Sequence, residues 1–399
     1  MSIFEAIAKE HAKKNSVNEY FTPSTPVLNP MHLKGRDVEM KSILENLTVP
    51  GRHCMIYGER GIGKSSLANA TINGGKQYNI LKGEIFNVKC DTSTKFKDIV
   101  SDCAIHISVH ANKYKEETVI KAGLSAKFLS FFTGNLGYEE KITVERDEIT
   151  PRKAANAIGI IDGILVVDEF DVLDEDTKKA VAEFIKQLSD NRSNLKVLLV
   201  GISNDGKSLT AGHESVNRCL HEISLGGIDD KYLMEIIKLG EDGLGLLFEE
   251  NVKSEIVDIS NGFPYFTHLL CKEAAESAIS SDYDKVNLTL FHKSIEKSVE
   301  NAEGRLKREY EDAVRSSKTD VYKKILLSAS KFRTNEFSVK NWINQIYADT
   351  GVRYNNQSMS NYTGRLVKKE YGSIIKRLSV GVYKISDPRM PSFIRLVNM

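Results

Sequence analysis

The chain has no closely spaced cysteine pair, no long uncharged apolar run and no low-complexity tract, and each of these gaps excludes a class of protein. Its five cysteines, Cys54, Cys90, Cys103, Cys219 and Cys271, are odd in number and scattered. Without C-x-x-C or Cys/His ligand spacing they argue against a zinc site and for a reducing cytoplasm. Met1–Ser16 is charged and amphipathic rather than a basic start followed by an apolar core, so no secretory leader is expected. The most apolar stretch, Val119–Leu136, contains Lys121 and Lys127 and is broken by glycines. It reads as a hairpin or helix pair inserted in a larger domain, and no membrane span is expected. Internal repeats are absent too. A length of 399 residues exceeds what one core normally organises, so two or three domains are expected.

What the chain does have is a phosphate-binding octapeptide. Gly58-Glu59-Arg60-Gly61-Ile62-Gly63-Lys64-Ser65 fills every fixed position of G-x-x-x-x-G-K-[ST]. The glycines permit a tight backbone curl whose N–H groups converge on phosphate oxygens, and a helix opening at Ser65-Ser66 aims its positive end at the same anion. Lys64 is placed to reach the β- and γ-phosphates, and the Ser65 hydroxyl to ligate Mg²⁺. The apolar run His53–Tyr57 ahead of it suits a buried parallel strand.

A second apolar run, Gly163–Val167, ends in Asp168-Glu169. At the carboxyl end of a central strand Asp168 would hold the metal shell, and Glu169 is the candidate base or water-orienting group. A third run, Leu195–Ile202, ends in the polar pair Ser203-Asn204, and one helix over Thr177–Leu188 fits between the two strands.

These landmarks come in an order that resembles the AAA+ and STAND ATPases of the origin-recognition initiator type. They are Leu33-Lys34-Gly35-Arg36, Gly58–Ser65, Asp168-Glu169, Gly201-Ile202-Ser203-Asn204 and Ser260-Asn261-Gly262-Phe263-Pro264. The resemblance covers about residues 25–290 and implies ATP with Mg²⁺ as cofactors, an adenine pocket built partly from Gly35 and Arg36, and assembly through nucleotide-bridged subunit interfaces. It also implies a sensor role for Ser203 or Asn204, where a helix-capping role is the alternative. Such relatives carry an arginine in the lid helix, whereas this lid reads Gly262–His268 with none, closer to the Gly-x-Pro lid of STAND switches. Slow turnover follows from the missing cation. Pro264 either packs on adenine or simply opens a helix. Arg218 is either a finger for a neighbouring subunit's γ-phosphate or a surface arginine paired with an acid such as Glu222.

Charge is unevenly spread. Val321–Met399 holds fourteen basic residues and four acidic ones, although the whole chain carries a formal charge of only +1. Helices from Asp320, from Ser338 and over Gln357–Glu370, then β-prone runs Ser373–Leu378 and Val382–Ile385, follow the order of a winged helix. Arg365, Lys368, Lys369, Lys376 and Arg377 are candidate phosphate contacts, and Gln357 and Asn361 candidate readers of base edges. Double-stranded DNA is the expected partner; the same module could instead dock a protein.

The expected fold class is an α/β P-loop NTPase core, a parallel sheet with helices on both faces, followed by an α-helical lid and a C-terminal winged helix. The boundaries expected are an arm over 1–30 wrapping the core in extended form, the core over 31–225, the lid over 226–300, a helical linker poor in apolar anchors over 301–319 and the winged helix over 320–399. The leading reading is a cytoplasmic ATPase switch acting on DNA as a homo-oligomer. The alternatives are a STAND-like sensor docking an effector nuclease in antiviral defence and a transposition-type regulator.

Overall fold

Strands apolar on both faces must be covered on both, and three such runs set the architecture. In the computed structural model, which describes residues 15–110, 149–202, 216–315, 320–332 and 336–399, the strands β1 (His53–Gly58), β3 (Gly163–Asp168) and β4 (Leu195–Ile202) are buried along almost their whole length. The half-exposed β2 (Glu84–Lys89) and β5 (Leu220–Leu225) form the edges. The order is β2-β3-β4-β1-β5 with every neighbouring pair parallel.

Alternation along each strand sends side chains to two separate cores. Met55, Leu165, Val167, Val197 and Leu199 share one with Phe96, Ile99, Phe184 and Ile185, which belong to α3 (Phe96–Val109) and α5 (Glu175–Asp190). The helix α4 (Pro151–Ile158) joins them there. On the opposite face of β1, the Cys54 Sγ lies 3.8 Å from the Ile43 carbonyl of α1 (Asp37–Leu47), beside α2 (Lys64–Gln77). The result is the α/β core of a P-loop NTPase, with β4 inserted between the P-loop strand β1 and the acid-bearing strand β3.

The first residue of β1 gives this sheet a pH dependence. His53 is 1% exposed, its Nδ1 accepts the Val197 N–H at 3.0 Å, and its Nε2 has no partner among the described residues. Burial, reinforced by the Lys196 charge, lowers its pKa to about 3. The native state therefore keeps His53 neutral while the unfolded chain takes up a proton near pH 6.5. Stability from this group is complete above that pH and is lost as pH falls towards 3, at about 1.4 kcal/mol per pH unit. Urea unfolding at pH 7 and pH 5 measures it, and His53→Asn should flatten the difference; an equal slope in both proteins refutes the assignment.

Contacts divide the chain into two compact units. The sheet unit comprises Val27–Glu59 and Lys64–Gly226; the helical unit comprises Met1–Pro26, Arg60–Gly63 and Gly227–Met399. In the helical unit, α6 (Asp230–Leu244), α7 (Glu250–Ser260), α8 (Pro264–Ser280) and α9 (Leu288–Asn301) pack together, with the short parallel pair β6 (Leu247–Phe248) and β7 (Lys285–Val286). Residues 15–20 are helical and Phe21 is buried against Phe248, at 6.3 Å between ring centroids, and against Gly240. Residues 15–20 of the arm are thus helical rather than extended, whereas its last residues, from Val27, belong to the sheet unit, where the Leu28 carbonyl accepts from Asn73 of α2 at 3.0 Å. The arm's Val17 and Phe21 are apolar enough to join the helical core instead.

The segment expected to be an exposed linker also differs. Within it α10 (Gly304–Val314) buries Leu306, Tyr310 and Ala313, which fall on one helical face. The C-terminal part contains α11 (Val321–Ser330), β8 (Glu336–Ser338), α12 (Val339–Thr350), α13 (Asn356–Leu366), β9 (Ile375–Ser379), β10 (Val382–Ile385) and α14 (Met390–Val397). Its three strands form an antiparallel sheet in the order β8-β10-β9. Trp342 anchors it, fully buried with its indole N–H on the Ile325 carbonyl at 2.9 Å. The third helix ends at Leu366, so Lys368 and Lys369 lie beyond it, in and before a short 3-10 turn. Ser338 caps α12 by accepting the Asn341 N–H, whereas the Asp320 side chain makes no cap bond.

The stretch Val119–Leu136 and the pair Ser203-Asn204 lie outside the described residues. All five cysteines are buried as free thiols. Among the described residues no helix is long and apolar enough to cross a membrane.

Candidate nucleotide site

The end of β1 cannot carry a side chain. Gly58 has φ +151°, and a Cβ there would stand 2.5 Å from the Leu225 carbonyl oxygen of the neighbouring strand. Glycine alone lets the chain leave the sheet at this point and curl into the loop. Gly61 and Gly63 also take positive φ, and α2 then begins at Lys64. The N–H groups of its first turn face the loop without intrahelical partners, which is the donor array an anion requires.

Lys64 is only 8% exposed, and its ammonium donates to the Glu59 carbonyl at 2.8 Å. The cation is thereby stored across the loop it would serve. Ser65 follows in the first turn of α2, while the Ser66 hydroxyl accepts the Val27 N–H at 3.1 Å and so fastens the preceding segment. Of the two serines, Ser66 has the structural task.

Asp168 ends β3 on the same edge of the sheet, because β3 and β1 both run parallel to the intervening β4. Its Oδ1 accepts the Glu169 N–H at 2.9 Å. Glu169 then adopts φ +57°, a left-handed conformation that side-chain-bearing residues rarely take. That kink turns its carboxylate to the neighbouring strand, where it lies 3.3 Å from Lys89 Nζ. Lys89 was not identifiable from the sequence, since it faces Asp168 only through the β2–β3 register. Asp171 secures the end of β4 by accepting the Ile202 N–H at 2.7 Å.

These acids create a negative field. Burial together with Asp168, Asp91, Glu169 and Asp171 pushes the Cys90 thiol up to about 12. A hydroxyl at Ser65, a carboxylate at Asp168 and an acidic surround fit a hard divalent cation. Mg²⁺ commonly takes one or two protein oxygens and completes its shell with phosphate and water. Among the described residues there is no closed metal cage of three or more His, Cys, Asp or Glu side chains.

Other expected residues are placed differently. Arg36 follows Gly35, is 4% exposed, and is spent on the Gly226 carbonyl at 2.7 Å and on Glu39 at 3.2 Å. Burial lowers its pKa, partly offset by Glu39. It braces the end of β5. Pro264 opens α8 at the first turn, in the helical unit. Arg218 precedes β5, at the amino end of the sheet, and pairs with Asp190 at 2.6 Å rather than with Glu222. Among the DNA candidates, Gln357, Asn361, Lys368, Lys369, Lys376 and Arg377 are exposed. Arg365 is half-buried: its guanidinium lies 4.2 Å from the Tyr322 ring and 4.1 Å from the Tyr371 ring and donates to the Arg315 carbonyl.

Comparison with known proteins agrees with this geometry. Residues 49–205 match the family described as AAA domain. A Walker-type ATPase of Pyrococcus abyssi superposes with a TM-score of 0.52 at 21% identity, covering 93% of this chain and 99% of its own. The ORC2 protein of Aeropyrum pernix gives 0.49 at 13% identity, with 96% of each chain covered. No curated protein sequence matches the chain. At these identities the structural likeness concerns the fold.

Proposed function

We propose that this chain, whose residues 49–205 match the AAA domain family, is a P-loop ATPase using ATP and Mg²⁺ and works as a nucleotide-dependent switch acting on double-stranded DNA. The observation that carries the reading is the joint placement of Lys64, Ser65, Asp168 and Glu169 at one edge of the sheet, in a chain whose last part is strongly basic.

In this proposal Lys64 leaves the Glu59 carbonyl for the β- and γ-phosphate oxygens, and the loop N–H groups hold the rest of the chain of phosphates. Ser65 and Asp168 would hold Mg²⁺, which would offset phosphate charge. Glu169 gives up Lys89 and orients the attacking water, accepting its proton as the γ-phosphate is cleaved. Gly35 and Arg36 border the adenine, and Arg218, once released from Asp190, serves a neighbouring copy in a homo-oligomer. Ser203 or Asn204 reports the γ-phosphate at the end of β4. Cytoplasm is the compartment that buried free thiols suit.

The C-terminal elements α11, β8, α12, α13, β9 and β10 are proposed to be a winged helix. Lys368, Lys369, Lys376 and Arg377 contact phosphates, and Gln357 and Asn361 face base edges. With four phosphate contacts, log affinity should fall against log salt with a slope of about −3 to −4. The charge-reversing pair Lys369→Glu and Lys376→Glu should cut affinity for a duplex of any sequence by at least about tenfold. Fluorescence anisotropy across a salt series, with ATP, with ADP and without nucleotide, makes the measurement. Salt-independent binding, or equal binding in all three nucleotide states, would remove DNA switching from the proposal.

The packing of Arg365 against Tyr322 and Tyr371 favours a second reading, in which this module docks a protein, as in a STAND-like sensor with an effector nuclease or a transposition-type regulator. That reading expects no salt-steep duplex binding at all.

A further inference from the structure

Four half-buried tyrosines in the last part of the chain, all within the helical unit, form one continuous set of ring contacts. Tyr362 of α13 meets Tyr322 and Tyr354, each at 5.6 Å between ring centroids and nearly perpendicular. Tyr322 opens α11, and its ring lies 4.2 Å from the Arg365 guanidinium. Tyr371, in the 3-10 turn after α13, lies 4.1 Å from the same guanidinium.

The core of this part is built from other residues. Ile325, Leu326, Ile346, Met359 and Leu366 are buried in it. A fifth tyrosine, Tyr383, shows the core role: it is buried and its hydroxyl donates to Thr363 Oγ1 at 3.1 Å. Rings left partly in water forgo some of the stabilisation that full burial gives, so the four half-open tyrosines leave ring surface free for a ligand.

The charge beside these rings has one sign. Lys323 and Lys324 follow Tyr322, Arg353 precedes Tyr354, and Lys368 and Lys369 come shortly before Tyr371; all five are exposed. Arg365 is answered by ring faces and by the Arg315 carbonyl, and its Nε is buried without a hydrogen-bond partner among the described residues.

Aromatic rings among exposed cations suit an unpaired nucleic-acid strand. Every base offers a π-face to a tyrosine or a guanidinium, and the phosphates between successive bases need cations nearby. An intact duplex keeps those faces stacked inside and presents only edges and backbone. A protein partner would meet a lysine-rich rim, and lysine is depleted at protein interfaces.

We propose that Tyr322, Tyr354, Tyr362 and Tyr371, with Arg365, form a stacking platform for the unpaired bases of single-stranded DNA, whose phosphates are held by Lys323, Lys324, Lys368 and Lys369. The proposal rests on the reading that this part of the chain contacts DNA, and it adds the form of the strand. Duplex and single strand then share Lys368 and Lys369 but not the tyrosines.

The experiment measures fluorescence anisotropy of three probes with the full chain: an oligothymidine of about 16 nucleotides, an abasic strand of the same length and a duplex. The wild type should hold oligothymidine at least about tenfold tighter than the abasic strand, because only the first has bases to stack. Tyr362→Leu and Tyr371→Leu should each weaken oligothymidine about tenfold and leave the abasic strand and the duplex within about twofold. Tyr371→Phe keeps the ring and should keep the affinity. The pair Lys369→Glu and Lys376→Glu should weaken all three probes, since all carry phosphates. Melting curves check that each variant folds; should a leucine variant unfold, the contrast between oligothymidine and abasic strand on the wild type still decides. Equal binding of those two strands, or wild-type strand affinity in folded leucine variants, overturns the platform, while duplex binding that the glutamate pair lowers keeps the duplex reading. Strand binding that depends on the tyrosines without any duplex binding keeps the platform and overturns the duplex reading. No binding of any probe overturns both.

Discussion

Lys64→Ala should lose nucleotide binding by about a hundredfold or more, the largest single effect expected from any substitution in this chain. The ammonium is nearly buried and its stored position on the Glu59 carbonyl spans the loop. A group already desolvated and already within the loop gives most of its Coulomb energy to an incoming phosphate, because little hydration remains to be removed. The fold should survive, since the sheet is organised by β1, β3 and β4 and not by this side chain. Calorimetry with Mg·ATP, paired with a melting curve, separates the two effects. Wild-type affinity in a folded Lys64→Ala protein would show that the loop does not hold a triphosphate.

Glu169→Gln should leave ATP affinity nearly intact and reduce turnover by about 10²- to 10⁴-fold. Glutamine fills the same volume and can adopt the same left-handed backbone at a similar cost, but it cannot accept the water's proton. The metal-holding carboxylate is that of Asp168, and Glu169 reaches it only through its own backbone N–H. The result should be a protein that retains uncleaved ATP, read as nucleotide recovered after gel filtration alongside released phosphate. Turnover equal to wild type would assign the base elsewhere. Lys89→Met is the informative companion. Both partners of the Lys89–Glu169 pair are well exposed, so the pair is worth under about 1 kcal/mol and the variant should differ little in rate.

Much of the nucleotide half was legible in the sequence, for reasons that are local. The octapeptide Gly58–Ser65 prescribes its own backbone, since only glycine reaches the φ values found at Gly58, Gly61 and Gly63. The apolar runs at β1, β3 and β4 announce strands buried on both faces, and their boundaries came out within a residue of expectation. The edge strands did not announce themselves. Glu84–Lys89 and Leu220–Leu225 mix polar and apolar residues because each has a neighbour on only one side, and that weaker pattern is easily taken for loop. The helix expected over 177–188 runs from Glu175 because Asp174 caps it by accepting the Thr177 N–H.

Outside the sheet, composition misled in two places. Asn301–Lys318 counts as charged, yet Leu306, Tyr310 and Ala313 lie on one face and bury it. Arg365 and Arg389 both add to the basic count of the last part of the chain, but one is held between tyrosines and the other is sealed between two acids. Charge count sees a side chain's formal state and not its partners.

The sequence by itself determined that a phosphate-binding loop joins a buried strand to a helix, that paired acids end another strand, and that the last part of the chain is basic. Those are properties of residue type and short spacing, which a linear reading captures. Only the tertiary structure decided that Lys89 faces Asp168, that Arg218 answers Asp190, and that Glu303 and Asp387 meet Arg389 beside Gly61. Each of those pairings joins residues from different elements, and strand register and helix packing, which fix such neighbours, are set by the whole core at once.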